Sequence, residues 1–182
     1  MANVWGSRPF HYPRQSIGST TAPLVRPLAR WGKGTVRQLL YAPDGQWLAV
    51  VTGSGIYLYT VPAYQEAQRL PADLWVSHAV FAPDSRTLAL GTLQGTVHLW
   101  DLPPNTLRPL GPAQEGIPVT QLAFSADGQR LAAGSELHGI HSWTVADGQP
   151  SPALATPRKP LRSLAFAAGS DYLIAAYGNA HL

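Results

Sequence analysis

Six histidines and ten carboxylates are the side chains that could carry acid–base or metal chemistry in this 182-residue chain, which has no cysteine. Disulfides and thiolate metal sites are therefore excluded. His138 and His141 stand three residues apart, and on a strand that spacing turns the two rings to opposite faces. His98 and His141 each lie two residues before a tryptophan, Trp100 and Trp143. Equivalent places in two similar segments point to packing rather than to a shared metal. Asp44, Asp84 and Asp127 each stand inside a turn signal, and no two acids make a convincing pair. There is no P-loop, dinucleotide fingerprint, nucleophile elbow or zinc-helix motif. The expectation is a chain without catalytic residues, metal ligands or cofactor.

The elements that hold these residues come from a repeat. VRQLLYAPDGQWLAV (Val36 to Val50) returns as VSHAVFAPDSRTLAL (Val76 to Leu90) and VTQLAFSADGQRLAA (Val119 to Ala133), then more loosely as LRSLAFAAGSDYLIA (Leu161 to Ala175). Its leucine falls at Leu48, Leu88, Leu131 and Leu173, at steps of 40, 43 and 42 residues. Periods of this size mean stacked units that cannot bury their apolar faces alone. Within a unit, alternation gives a first strand, and Pro43-Asp44-Gly45, Pro83-Asp84-Ser85 or Ala126-Asp127-Gly128 gives the turn. A second strand follows, then a third after glycine: GIYLYTV (Gly55 to Val61), GTVHLWDL (Gly95 to Leu102) and GIHSWTV (Gly139 to Val145). TLRPLGP (Thr106 to Pro112) and PALATP (Pro152 to Pro157) read as weaker fourth strands.

The third strand ending in Trp100-Asp101 resembles the WD-repeat signature, and Phe124 to Ala132 resembles that family's first hairpin. The resemblance covers residues from Leu24 to the C-terminus and implies an all-β fold, a β-propeller with blades of four antiparallel strands around a channel. Residues 1–23 form a separate basic, Pro-rich segment, disordered or loosely docked. Residues 24–182 form the propeller region, with units at about 35–71, 75–112 and 118–157 and a partial unit at 160–182. The pattern is incomplete. The Gly-His pair before each first strand is missing, and Ser54, Gln94 and His138 replace the aspartate before the third strand. Of the family's hydrogen-bonded tetrad only Thr52, Thr92, Ser135, Trp100 and Trp143 remain, so packing has to hold the blades together.

WD-repeat propellers usually have seven blades, and about three and a half are present. The expected architecture is an incomplete or open propeller, read as the N-terminal part of a larger ring. LVRPLAR (Leu24 to Arg30) resembles a fourth strand with no unit before it, as in a ring whose N-terminal strand completes the last blade. A small closed ring and a half-propeller that pairs with a second copy are the alternatives. An open array exposes unpaired backbone and apolar blade faces.

The 45% hydrophobic and 13% charged composition suits strands buried on both faces. No run of 18 apolar residues is present, and MANVWGSRPFHYPRQS lacks the apolar stretch of a secretory signal, so a cytoplasmic location is expected. The first 43 residues carry Arg8, Arg14, Arg26, Arg30, Lys33 and Arg37 and no acid, while the rest sums to a negative charge. An anionic partner would suit that arm. Prolines 9, 13, 23 and 27 forbid a basic amphipathic helix, and no stacking motif of an RNA module appears, so neither membrane nor nucleic acid is expected.

Binding to proteins or peptides remains. By position, the resemblance places the loops before the first strands and between second and third strands on the propeller's top face. The protein-binding candidates there are Trp31, Lys33, Trp75, Gln94, Glu136 and His138. Inward blade packing is the competing role for Trp31 and Trp75. Gln38, His78, Gln121 and Ser163 share one register on the innermost strands and are expected to line the channel. The function expected is a non-catalytic scaffold for protein–protein contacts. The alternatives are a half-propeller that self-associates through its open blade edges and a regulatory or sensor domain of a longer multidomain protein.

Overall fold

The computed structural model describes residues 33–102, 104–112, 116–135, 139–152, 154, 156, 157, 159–169 and 172–178. The basic segment, the strand expected at Leu24 to Arg30, and Trp31, Glu136 and His138 lie outside the described residues.

Among the described residues, thirteen strands form four antiparallel sheets in chain order. The first holds β1 (Val36–Tyr41), β2 (Trp47–Thr52), β3 (Gly55–Thr60) and β4 (Glu66–Pro71), each paired with the next. After a 3-10 turn at Ala72–Leu74, the second sheet holds β5 (Val76–Phe81), β6 (Thr87–Thr92), β7 (Thr96–Asp101) and β8 (Thr106–Pro112). The third comprises β9 (Gln121–Phe124), β10 (Arg130–Gly134) and β11 (Ile140–Thr144), and the fourth β12 (Leu161–Phe166) and β13 (Leu173–Tyr177). The fold is all-β, as the repeat implied, and it is a partial propeller.

The fourth strand expected at Pro152 to Pro157 lies partly outside the described residues; its described part makes the isolated bridge Ile140↔Leu154, with Trp143↔Pro150 just upstream.

The hairpins form for the reason the sequence suggests. Asp44, Asp84 and Asp127 each accept the backbone N–H two residues on, at 2.8–3.0 Å. Gly45 and Gly128 take the positive φ of the turn (both 71°), and Ser85 takes it without being glycine, at 60°. Ser85 is kept there by a contact across sheets, its Oγ accepting the Asp44 N–H at 3.0 Å.

Strand alternation gives each sheet two apolar faces, and consecutive sheets bury them against each other. Ala49, Val51, Ile56 and Leu58 of the first sheet pack with Ala79, Leu88, Leu90 and Trp100 of the second. Ala89, Val97 and Leu99 then meet Val119, Leu122, Leu131 and Trp143, while Ala123 and Ala132 meet Leu161 and Leu164. The same seam is made three times. Its tightest point is a seat near the end of each second strand and a knob at the head of the next sheet. A Cβ on Gly91 would come within 2.5 Å of Val119 Cγ1, and one on Gly134 would overlap Leu161 Cδ2. At the first seam Val51 and Val76 hold the corresponding places in one cluster.

Polar groups tie the seams as well. The Gln38 side-chain amide donates to the Ala79 carbonyl (3.1 Å) and accepts the Ala79 N–H (3.0 Å). Gln68 donates to the Leu102 carbonyl at 2.7 Å, and Arg108 to the Val145 carbonyl at 3.0 Å. Thr92 bonds Thr96, which bonds His98 Nε2 at 3.1 Å, while the Trp100 indole donates to Asn105 Oδ1 at 2.9 Å. Thr92 and Trp100 share no hydrogen bond.

Candidate functional site

Short loops at one end of the sheets hold Lys33, Trp75 and Gln94, and hydrogen bonds tie these loops in pairs. In the first sheet the Ser54 hydroxyl donates to the Lys33 carbonyl, tying the leading loop to the β2–β3 turn. In the second, the Leu93 N–H donates to the Trp75 carbonyl at 3.0 Å. The Gln94 carbonyl takes the Gly116 N–H at 2.8 Å, carrying the connection to the third sheet. Trp75 and Gln94 are thus brought together, and Lys33 belongs to the neighbouring loop pair.

The residues differ in availability. Lys33 is half-buried, ion-paired with Glu66, and its ammonium lies 4.3 Å from the centre of the Tyr57 ring. A lysine so engaged is a structural cap on its blade. Gln94 is exposed. Trp75 is 60% exposed, which answers the question of inward packing: its indole is not blade core. It also holds φ at +47°. That conformation costs a bulky side chain about 1–3 kcal/mol, and such outliers concentrate where function needs them. Trp75 borders a cleft shared with Arg37, Thr52 and Gly53, of about 10 Å³. That admits one water at most, so the surface suits another surface and not a small molecule.

Of the residues expected in the channel, Gln38 is turned to the seam by its two bonds to Ala79. His78 and Gln121 are half-buried and Ser163 is exposed. The larger depression lies toward the hairpins, where Val80, Phe81, Leu122, Phe124, Leu164 and Phe166 line about 440 Å³. Among the described residues no charged side chain lines it, and its wall is largely apolar. Among the described residues no group of three or more His, Asp or Glu could hold a metal ion.

Two of the described histidines are held by neighbours on their own sheet. His98 is bonded to Thr96, and His141 stacks on Trp143 with centroids 6.3 Å apart. Burial lowers the pKa of His78, His98 and His141 below the ordinary 6.5, because the charged ring loses water. Between the folded and unfolded values, the unfolded chain binds more protons, so stability there rises with pH. The contribution is full above about 6.5 and lost as pH falls through the depressed values. The urea midpoint is therefore expected to drop between pH about 7 and about 5, and to drop less in a His78→Gln/His98→Gln/His141→Gln variant. An equal drop in both would assign the effect elsewhere.

The family described as "WD domain, G-beta repeat" matches residues 66–101 and 107–144. These two stretches match WD repeats. Each matched WD repeat runs from the fourth strand of one sheet through three strands of the next, β4 to β7 and β8 to β11. The sequence unit therefore straddles a seam and links neighbouring blades covalently. Among solved structures, "Structure of U3-55K" matches with a TM-score of 0.72 and 17% identity, covering 82% of this chain and 47% of that one. "Crystal structure of RRP9 WD40 repeats" matches with a TM-score of 0.70, again at 17% identity and 82% and 47% coverage. At that identity they show the shared fold alone, and this chain spans about half their length. No curated protein matches in sequence. WD-repeat chains typically act as protein-interaction scaffolds, and this fold hosts many unrelated roles.

Sequence reasoning pointed to Trp75 through its loop position and residue type. It missed the commitment of Lys33 to Glu66, because nothing local in KGTVRQ signals a partner over thirty residues away.

Proposed function

We propose that this WD-repeat chain is a non-catalytic scaffold, in the cytoplasm, that docks a protein or peptide on its loop face with Trp75 as the anchor. The observation that carries the reading is the exposed indole held at positive φ. A rigid aromatic projecting from a fixed scaffold loses little entropy on binding, and such residues dominate interface energetics. Gln94 supplies a polar contact beside it. Lys33 is neutralised by Glu66, which favours a protein partner over nucleic acid or an anionic membrane.

The alternative, a regulatory or sensor unit of a longer polypeptide, draws on the 47% coverage of the matched structures and uses the same surface. A photoreactive residue at position 75 should cross-link the partner in cells. Trp75→Ala should then weaken the purified interaction about tenfold or more, with the melting temperature unchanged or raised. Undiminished affinity would reject Trp75 as the anchor.

A further inference from the structure

The three seams between consecutive sheets share one construction, and at the first of them two residues depart from it. In the repeat register Arg37, Ser77 and Thr120 occupy one place on the first strands, while Trp75, Pro118 and Pro160 occupy another, at the head of the sheet that follows. Ser77 and Pro118 therefore belong to one seam, Thr120 and Pro160 to the next, and Arg37 and Trp75 to the first. Arg37 and Ser77 each stand at a bulge, where β1 and β5 shift register against their neighbours, and a bulge re-aims the side chain it carries. The Ser77 hydroxyl ties its seam from there, bonding the Val119 carbonyl at 2.6 Å. Arg37 reaches the equivalent carbonyl, that of Val76, with one nitrogen at 3.5 Å, the outer limit of a hydrogen bond. A serine makes the tie better, so seam closure does not explain an arginine. Nor does an ion pair: Arg37 is exposed and has no carboxylate partner among the described residues.

We propose that Arg37 and Trp75 together select an acidic peptide, the indole taking an apolar side chain and the Arg37 guanidinium the carboxylate of an aspartate or glutamate beside it. This role rests on Trp75 being the docking anchor. The two side chains line one cleft from opposite sides of the first seam, and the Arg37 nitrogen is held on the carbonyl of the residue after Trp75. Among the described residues no acid lines that cleft. At about 10 Å³ it is too small to take a carboxylate inside, so the acid lies across its rim. There the guanidinium keeps free N–H donors that bind a carboxylate as a fork. The local charge selects the anion. Lys33, the cation of the neighbouring loop, is committed to Glu66, and Asp73, exposed two residues before Trp75, adds a negative charge. One free guanidinium near an acid suits a singly charged carboxylate. A phosphoserine carries close to two charges and is typically held by a cluster of arginines.

Selection of random peptides displayed on phage against the full chain tests this, the relevant binders being those lost on Trp75→Ala. They should be enriched in aspartate and glutamate. A synthetic copy of such a peptide should bind Arg37→Gln about tenfold more weakly, the worth of a hydrogen bond to a charged group. Arg37→Lys, which keeps the charge and loses the fork, should fall between the two. Arg37→Glu should turn the selection toward lysine and arginine, a gain that misfolding cannot produce. Trp75-dependent peptides without an acidic excess, or undiminished affinity for Arg37→Gln, would overturn the proposal and leave Trp75 standing as the anchor. Binders indifferent to Trp75 would remove the anchor itself, and the acidic partner with it. Tighter binding when phosphoserine replaces the acid would overturn the carboxylate assignment in favour of a phosphopeptide.

Discussion

Trp100→Ala is expected to lower the unfolding free energy by about 3–5 kcal/mol, the range for truncating a fully buried aromatic. Trp100 has no solvent exposure and lies in the cluster that joins the first two sheets, against Ala49, Val51, Leu88 and Leu102 among others. Ala49, Val51 and Leu88 are fixed in ladders on both sides, so the site cannot collapse to fill the space, and the cavity term applies in full. The indole also donates to Asn105, a residue held at φ +69° in the β7–β8 turn. Asn105→Ala alone should cost about 1 kcal/mol, the net worth of one hydrogen bond. Urea unfolding with an unchanged slope reads both effects. A loss below about 1 kcal/mol for Trp100→Ala would mean that the first seam is not packed as described.

The second large effect comes from adding atoms. Gly134→Val is expected to cost about 3 kcal/mol, the upper end for overpacking, because the new side chain meets Leu161 where even a Cβ overlaps. Neither partner can retreat easily, since Gly134 pairs with Ile140 and Gln121, and Leu161 pairs with Tyr177. The informative control is the double variant. Leu161→Ala in the Gly134→Val background should be more stable than Gly134→Val alone, although Leu161→Ala by itself destabilises. Additive losses would separate the two residues and remove the third seam from the account.

Much of this architecture is legible in the residues. The leucines at Leu48, Leu88 and Leu131 repeat because each stands near the start of a second strand where both faces are covered, and all three are at most 4% exposed. The turns are legible because Asp-Gly and Asp-Ser carry their own local chemistry. Contacts between sheets are harder to see. Gln38 looks like a channel residue from its register, yet its amide spends both ends on Ala79, about forty residues away. The candidate site divides similarly. Trp75 is legible as a loop aromatic, but its exposure depends on a left-handed backbone that no residue preference announces. Lys33 is legible as a loop cation, and its capping of Tyr57 is not.

Native-state amide hydrogen exchange along the whole chain tests the central claim, that four like sheets are stacked by one repeated seam. Protection should peak in the second strands, over Trp47–Thr52, Thr87–Thr92 and Arg130–Gly134, and fall in the hairpin turns and in the outer strand Thr106–Pro112. The maxima should keep the 40- and 43-residue steps of the repeat. Protection without that period, or strongest in the outer strands, would contradict the stacked-sheet account.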